Sequence, residues 1–193
     1  SIDSQFMERT VTLENGQTQR IEGWLKHRYA NIQGSVSHCF YRATRLKPKD
    51  YIQAWIYHLM GSGQTTYLIG WDDDKYPVCH SFSPVDISYA YKHLANLISA
   101  YRKCRNQPSA LWLDAAWAYI TAEKNPEQSA QDALNDAILG KKNHQTGERY
   151  AVSGEIQLLT RGQEVHNYVN QQFRLLADTI ISPIIDGKEK AQL

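Results

Sequence analysis

Two spacings alternate along this chain, and together they predict its elements. An alternating run at Arg9-Thr-Val-Thr-Leu13 ends at Asn15-Gly16, a strong turn dipeptide, and predicts a short strand followed by a turn. The next strand is expected over Gln19–Tyr29, with Ile21, Gly23, Leu25 and His27 on one face and Glu22, Trp24, Lys26 and Arg28 on the other. A turn near Asn31–Gly34 and a second strand over Val36–Ala43 complete a hairpin. Pro48 then opens a helix in which Tyr51, Ile52, Trp55, Ile56 and Leu59 recur at helical spacing, and Gly61-Ser-Gly63 ends it. Thr65–Trp71 reads as a buried strand, Asp72–Lys75 as a turn, and Tyr76–Phe82 as the hairpin partner.

The second half is helical. Ser83-Pro84-Val85-Asp86 has the form of a helix start, with the helix running to about Arg105 and burying Ala90, Leu94, Leu97, Ile98 and Tyr101. Asn106-Gln107-Pro108 stops it. Helices are expected over Leu111–Glu123, with Trp112, Ala116, Trp117 and Ile120 on one side, and from Asn125-Pro126 to about Leu139. Lys141–Arg149 is the candidate mobile loop, and Tyr150–Thr160 is read as a short strand or extended coil. A last long helix from about Glu164 to Ile181 buries Val169, Phe173, Leu176, Ala177 and Ile180, and the tail Lys188–Leu193 is expected to fray. Strands early and helices late predict an α/β (α+β) fold, a central mixed sheet of about four or five strands flanked by helices. The 193 residues suit one domain, with an ordered core over about 5–187.

Composition changes this picture little. Hydrophobic residues make up 42% and charged residues 21%, which is ordinary for a globular chain. A formal net charge of +1 announces no polyanion partner, so only local patches could bind one. No apolar run reaches the roughly 20 residues of a membrane span, and no signal peptide is visible. Three cysteines, 39, 79 and 104, with no CxxC pair favour reduced thiols and a cytoplasmic setting. The chain opens Ser-Ile-Asp without methionine, which suggests an excised fragment or residues left by cloning, and a functional unit larger than these residues.

Candidate chemistry is thin. His38-Cys39 and Cys79-His80 each offer one ligand per sheet face, short of the four that a structural zinc requires. Asp72-Asp73-Asp74 lacks the glycine and distal glutamate of a calcium loop and reads as a solvated turn. There is no GxSxG elbow, phosphate loop or HExxH. The informative stretch is Gly23–Lys49, which holds Lys26, Arg28, Arg42, Arg45, Lys47 and Lys49 and not one carboxylate. Magnesium demands hard oxygen ligands, so this stretch builds no metal site, and no cofactor is expected. Its cations with Trp24, Tyr29, Phe40 and Tyr41 fit a nucleic-acid surface, or a solvated face whose cations pair with acids from elsewhere.

The ordered series Gly23-Trp-Leu, Arg45-Leu-Lys-Pro-Lys49, Ala54-Trp-Ile-Tyr-His-Leu59, Tyr67-Leu-Ile-Gly70, Tyr101-Arg102 and Ala115-Ala-Trp-Ala118 resembles the C-terminal domain of RecC, the exodeoxyribonuclease V gamma chain. Gly154-Glu155, Arg161-Gly162, Phe173 and Ser182-Pro-Ile-Ile185 extend the likeness, so that it covers about Gln19 to Ile185. The resemblance implies a PD-(D/E)xK nuclease-like fold without its active site. Lys26 would stand where the metal-binding Asp falls, and Phe40-Tyr41-Arg42 where the acid-x-Lys lies. It further implies a non-catalytic scaffold of the RecBCD helicase–nuclease in double-strand-break repair, docking RecD beside RecB and helping guide split strands from duplex ends. Trp24, Arg28, Arg42 and Arg45 are then the candidate DNA or partner contacts. The alternatives are an active metal-dependent nuclease using acids such as Glu22, Glu148 or Glu155, and a stand-alone nucleic-acid-binding module.

Overall fold

The computed structural model describes residues 2–106, 111–141, 143, 145–148 and 170–191. The chain divides into two compact units, Ser1–Lys103 with Asp186–Leu193, and Cys104–Ile185.

The first unit contains two sheets. Strands β1 (Gln5–Thr12) and β2 (Thr18–Leu25) form an antiparallel ribbon, joined through the expected Asn15-Gly16 turn with Gly16 at φ +79°. The other sheet has five strands in the order β3 (Arg28–Ala30), β4 (Val36–Arg45), β5 (Thr65–Trp71), β6 (Pro77–Phe82) and β7 (Lys188–Ala191). Only the β4–β5 pair is parallel, and helix α1 (Pro48–Met60) supplies its crossover. The fold is thus mixed α/β with a five-stranded mixed sheet flanked by helices.

Helix α1 forms because Pro48 presets the first turn and the Asp50 carboxylate accepts the Lys47 backbone N–H at 2.8 Å. Gly61 ends it. Positions 51, 54, 55, 58 and 59 are buried, an amphipathic stripe, whereas Ile56 is exposed, contrary to the expected pattern. The stripe lies on the sheet face that carries His38, Phe40, Thr66, Leu68 and Phe82. Trp55, 2% exposed, packs on Phe82 and His58 at centroid distances of 5.3 Å.

Several expectations fail for identifiable reasons. The single strand over Gln19–Tyr29 breaks at Lys26-His27, where His27 adopts φ +60° and sends the chain from the ribbon into the second sheet. Helix α2 (Ile87–Asn106) starts beyond Ser83, since the Asp86 carboxylate caps it by accepting the Tyr89 N–H at 2.8 Å. Those bonds hold the Asp86 carboxyl below its ordinary pKa, the Ser88 hydroxyl contributing most. On α2 Tyr101 is 62% exposed, and Leu97 and Ile98 are half-buried. The tail does not fray: β7 pairs with β6 from Phe82↔Lys188 to Cys79↔Ala191, because β6 otherwise presents an open edge.

The second unit has α3 (Leu113–Glu123), α4 (Ala130–Leu139) and α5 (Gln171–Ile180); α6 (Ser182–Gly187) leads back to β7. In α3 the buried residues are Ala115, Ala116, Tyr119, Ile120 and Ala122, with Trp112 and Trp117 only half-buried. Helix α4 begins after Ser129 rather than at Asn125-Pro126, because the Ser129 hydroxyl accepts the Asp132 N–H. Phe173, Leu176, Ala177 and Ile180 of α5 are buried as expected, and Asn170 caps that helix. Tyr150–Thr160, residues 164–169, Gly154-Glu155 and Arg161-Gly162 lie outside the described residues.

Candidate functional site

The acid-free stretch folds around the Lys26-His27 break. Beyond it β3 pairs with β4, Arg28 facing His38, and Cys39 donates its N–H to the His27 carbonyl at 2.9 Å. The His27 ring lies 5.0 Å from that of Phe40 and 6.4 Å from that of Tyr57. Lys26 itself is exposed. A β-branched residue tolerates φ near +60° far less well than Asn does. His27→Val should accordingly cost about 1–2 kcal/mol more than His27→Asn. Urea denaturation of the two variants checks this, and equal midpoints would contradict the strain.

Alternation on β4 separates the candidate residues. Phe40 is buried against Tyr57 (5.0 Å, edge-on), while Tyr41 points to the opposite face and is 74% exposed. Arg42 sits on a bulge, for β4 spends four residues from Tyr41 to Arg45 where β5 spends two, from Ile69 to Trp71. Nothing in the sequence pattern signalled this bulge. Within it Arg42 donates from Nε to Thr44 at 2.8 Å and from its guanidinium to Asp50 at 2.6 Å.

Asp50 is the first acid after the acid-free stretch, and it is committed twice, to Arg42 and to the Lys47 N–H. Arg45 pairs with Asp73 of the β5–β6 turn. Arg28 donates to the Asp3 carbonyl at 2.9 Å. Trp24 lies on the ribbon, 58% exposed, its ring centroid 5.4 Å from that of Phe6. The seven sequence-selected residues thus fall into three places. Lys26 and Arg28 flank the break, Phe40, Tyr41 and Arg42 occupy β4 with Arg45 at its end, and Trp24 stands apart on the ribbon. Glu22 is bound by Arg20 at 2.7 Å on the same ribbon.

Sequence reasoning placed His38 and Cys39, like Cys79 and His80, on opposite faces, and the strand register does so. It missed what surrounds His38. His38 and His58 are completely buried, His58 Nδ1 lying 3.1 Å from the Thr66 hydroxyl. The Gln64 side chain and the Lys26 backbone adjoin His38, but neither is aligned to bond its ring nitrogens. Burial, more than the neighbouring charges, lowers the His38 pKa; burial and the adjacent His38 ring lower that of His58 to about 4. Both rings are neutral at pH 7. Burial raises the pKa of the Cys39 and Cys79 thiols, so both are sluggish nucleophiles. Among the described residues no three His, Cys, Asp or Glu side chains gather as a metal-binding group. No described helix is long and apolar enough to cross a membrane.

No curated protein matches the chain. Among solved structures, the crystal structure of SSO0001 is similar with 14% identity and a TM-score of 0.33, over 49% of this chain. The matched part is 48% of that structure's chain, so the likeness spans about half of it. A family profile matches far more specifically: that of the RecC C-terminal domain, over residues 3–124. RecC is a non-catalytic subunit of the RecBCD complex of DNA repair. The match takes in the ribbon, the break at His27, β4 to β6 and the first three helices, and the chain belongs to the RecC C-terminal domain family.

Proposed function

We propose that this chain is a non-catalytic scaffold domain, part of a larger subunit, in a RecBCD-type helicase–nuclease that acts in double-strand-break repair. It docks the RecD subunit, adjoins RecB and helps guide the strands split from duplex ends. Its fold is a PD-(D/E)xK nuclease-like one in which Lys26, Phe40, Tyr41 and Arg42 occupy the positions of a lost active site. Family membership supports the RecBCD setting. One observation carries the loss of catalysis: among the described residues, the carboxylates paired with cations of β4 are Asp50 and Asp73, each engaged by an arginine. A divalent ion would have to displace a guanidinium from Asp50 and then settle beside that same cation.

The active-nuclease alternative draws no support from Glu22, which Arg20 engages on the ribbon. Of the six cations on which the stand-alone binder rested, Arg42 and Arg45 are each paired with an acid of their own unit.

Two measurements test the proposal. Incubated with magnesium and linear duplex DNA, the chain should show no hydrolysis above that of a Lys26→Ala control. Activity that depends on Mg²⁺ and exceeds the control would restore the enzyme reading. Mixed with purified RecD and RecB, with and without forked DNA, the chain should be retained by at least one of the subunits; retention by neither removes the scaffold reading.

A further inference from the structure

The ribbon presents two unlike faces. The inner one, with Val11 and Leu25 buried, is fixed within its own unit, where Arg102 of α2 bonds Gln19 at 2.5 Å and Gln17 at 3.4 Å. The outer face carries Phe6 opposite Trp24 at one end, then Glu8 opposite Glu22, with Thr10 opposite Arg20 and Thr12 opposite Thr18 beyond them. Phe6 and Trp24 are 48% and 58% exposed, yet they hold each other edge-on, so the rings need little further ordering to receive a partner. Directly opposed glutamates repel. Among the described residues only Arg20 spans them, at 2.8 Å to Glu8 and 2.7 Å to Glu22, so that these three side chains carry a net charge of one negative.

This arrangement discriminates between kinds of partner. An aromatic platform for unpaired bases works beside cations that follow the phosphates. Here the pair next to the rings on the ribbon is Glu8 and Glu22. Lys26, beyond the end of β2, is the nearest cation in sequence after Trp24, and counting it still gives the face no positive excess. A protein segment with an apolar side chain for the aromatic pair and a lysine or arginine for the glutamates meets both features.

Resting on the scaffold reading above, we propose that the outer face of the β1–β2 ribbon is a protein-docking surface for a basic, apolar-anchored segment of a partner subunit, and that it is not a DNA contact. Trp24 thereby separates from the cations with which the sequence grouped it.

The test titrates the full chain, its Phe6→Ala/Trp24→Ala variant and its Glu8→Gln/Glu22→Gln variant against purified RecD, purified RecB and a forked DNA. The side chains changed are exposed, and matching circular dichroism and melting curves verify the fold. The aromatic variant should bind its subunit at least 10-fold more weakly. The glutamine variant should lose both affinity and most of the salt dependence of subunit binding. DNA affinity should change in neither. Wild-type association with a subunit that both variants retain overturns the docking surface and leaves the scaffold reading standing. A fall in DNA affinity of the aromatic variant, with subunit binding intact, assigns the rings to DNA and overturns it as well. No association of the wild-type chain with either subunit overturns both.

Discussion

Asp50→Ala should destabilise the first unit by about 2–4 kcal/mol, well above a typical surface substitution. The side chain is 10% exposed and serves two elements at once. Its carboxylate closes the first turn of α1 through Lys47, a role worth about 1 kcal/mol by itself. It also answers the Arg42 guanidinium at 2.6 Å, so its removal leaves a half-buried cation on a bulge with only Thr44. Asp50→Asn keeps an acceptor for Lys47 and should cost about half as much. Urea denaturation of Asp50→Ala, Arg42→Ala and the double variant separates the two roles. A coupling energy of about 1–2 kcal/mol is expected between residues 42 and 50. Additive effects would mean that the ion pair contributes nothing and that Arg42 is available to bind elsewhere.

Acid should weaken the protein through His58 more steeply than carboxylate titration alone would. Its imidazole is completely buried against Trp55 and Phe82, and burial first, then the nearby His38, lower its pKa to about 4. An unfolded chain protonates the same ring near 6.5. Above that pH both states hold it neutral and its contribution is complete. As pH falls from about 6.5 to about 4 the unfolded state takes up a proton that the native state refuses, and stability declines by about 3 kcal/mol. The lowered pKa values of His38, His80 and His93 act in the same direction. His58→Leu removes the proton uptake while keeping most of the bulk. It should lower stability at pH 7.5, where the Thr66 contact is lost, yet flatten the decline between pH 6.5 and 4.5. Parallel stability–pH curves for the two proteins would refute the assignment.

Local chemistry was the readable part. Pro48 and Gly61 bracket α1, Asn15-Gly16 turns the ribbon, and Asp72–Lys75 joins β5 to β6, each by a preference acting over a few residues. What periodicity leaves open is which sheet a strand joins. Alternation over Gln19–Leu25 was genuine, but it stops at His27, where one backbone angle sends the rest of the segment to a different sheet. Helix starts slipped where two capping residues competed, Ser83 against Asp86 and Asn125 against Ser129, since a cap is chosen by packing as well as by type.

The candidate site was legible as a composition and not as a geometry. The absence of acids from Gly23–Lys49 is a fact of sequence, and it foretold a cationic, aromatic junction. That Arg42 and Arg45 would be neutralised depended on Asp50 and Asp73, which are brought in by a helix start and a distant turn. Buried His38 and His58 gave no warning either, since a histidine reads the same on either face of an alternating strand or a helix.

The sheet's fifth strand is contributed by Lys188–Ala191, more than a hundred residues after its neighbour Pro77–Phe82. Completing the first unit therefore waits for a loop closure across the entire second unit, a late and entropically costly event during synthesis. Until then β6 exposes a bare row of backbone donors and acceptors, and a polypeptide released before that closure carries a sticky margin on which other chains can polymerise.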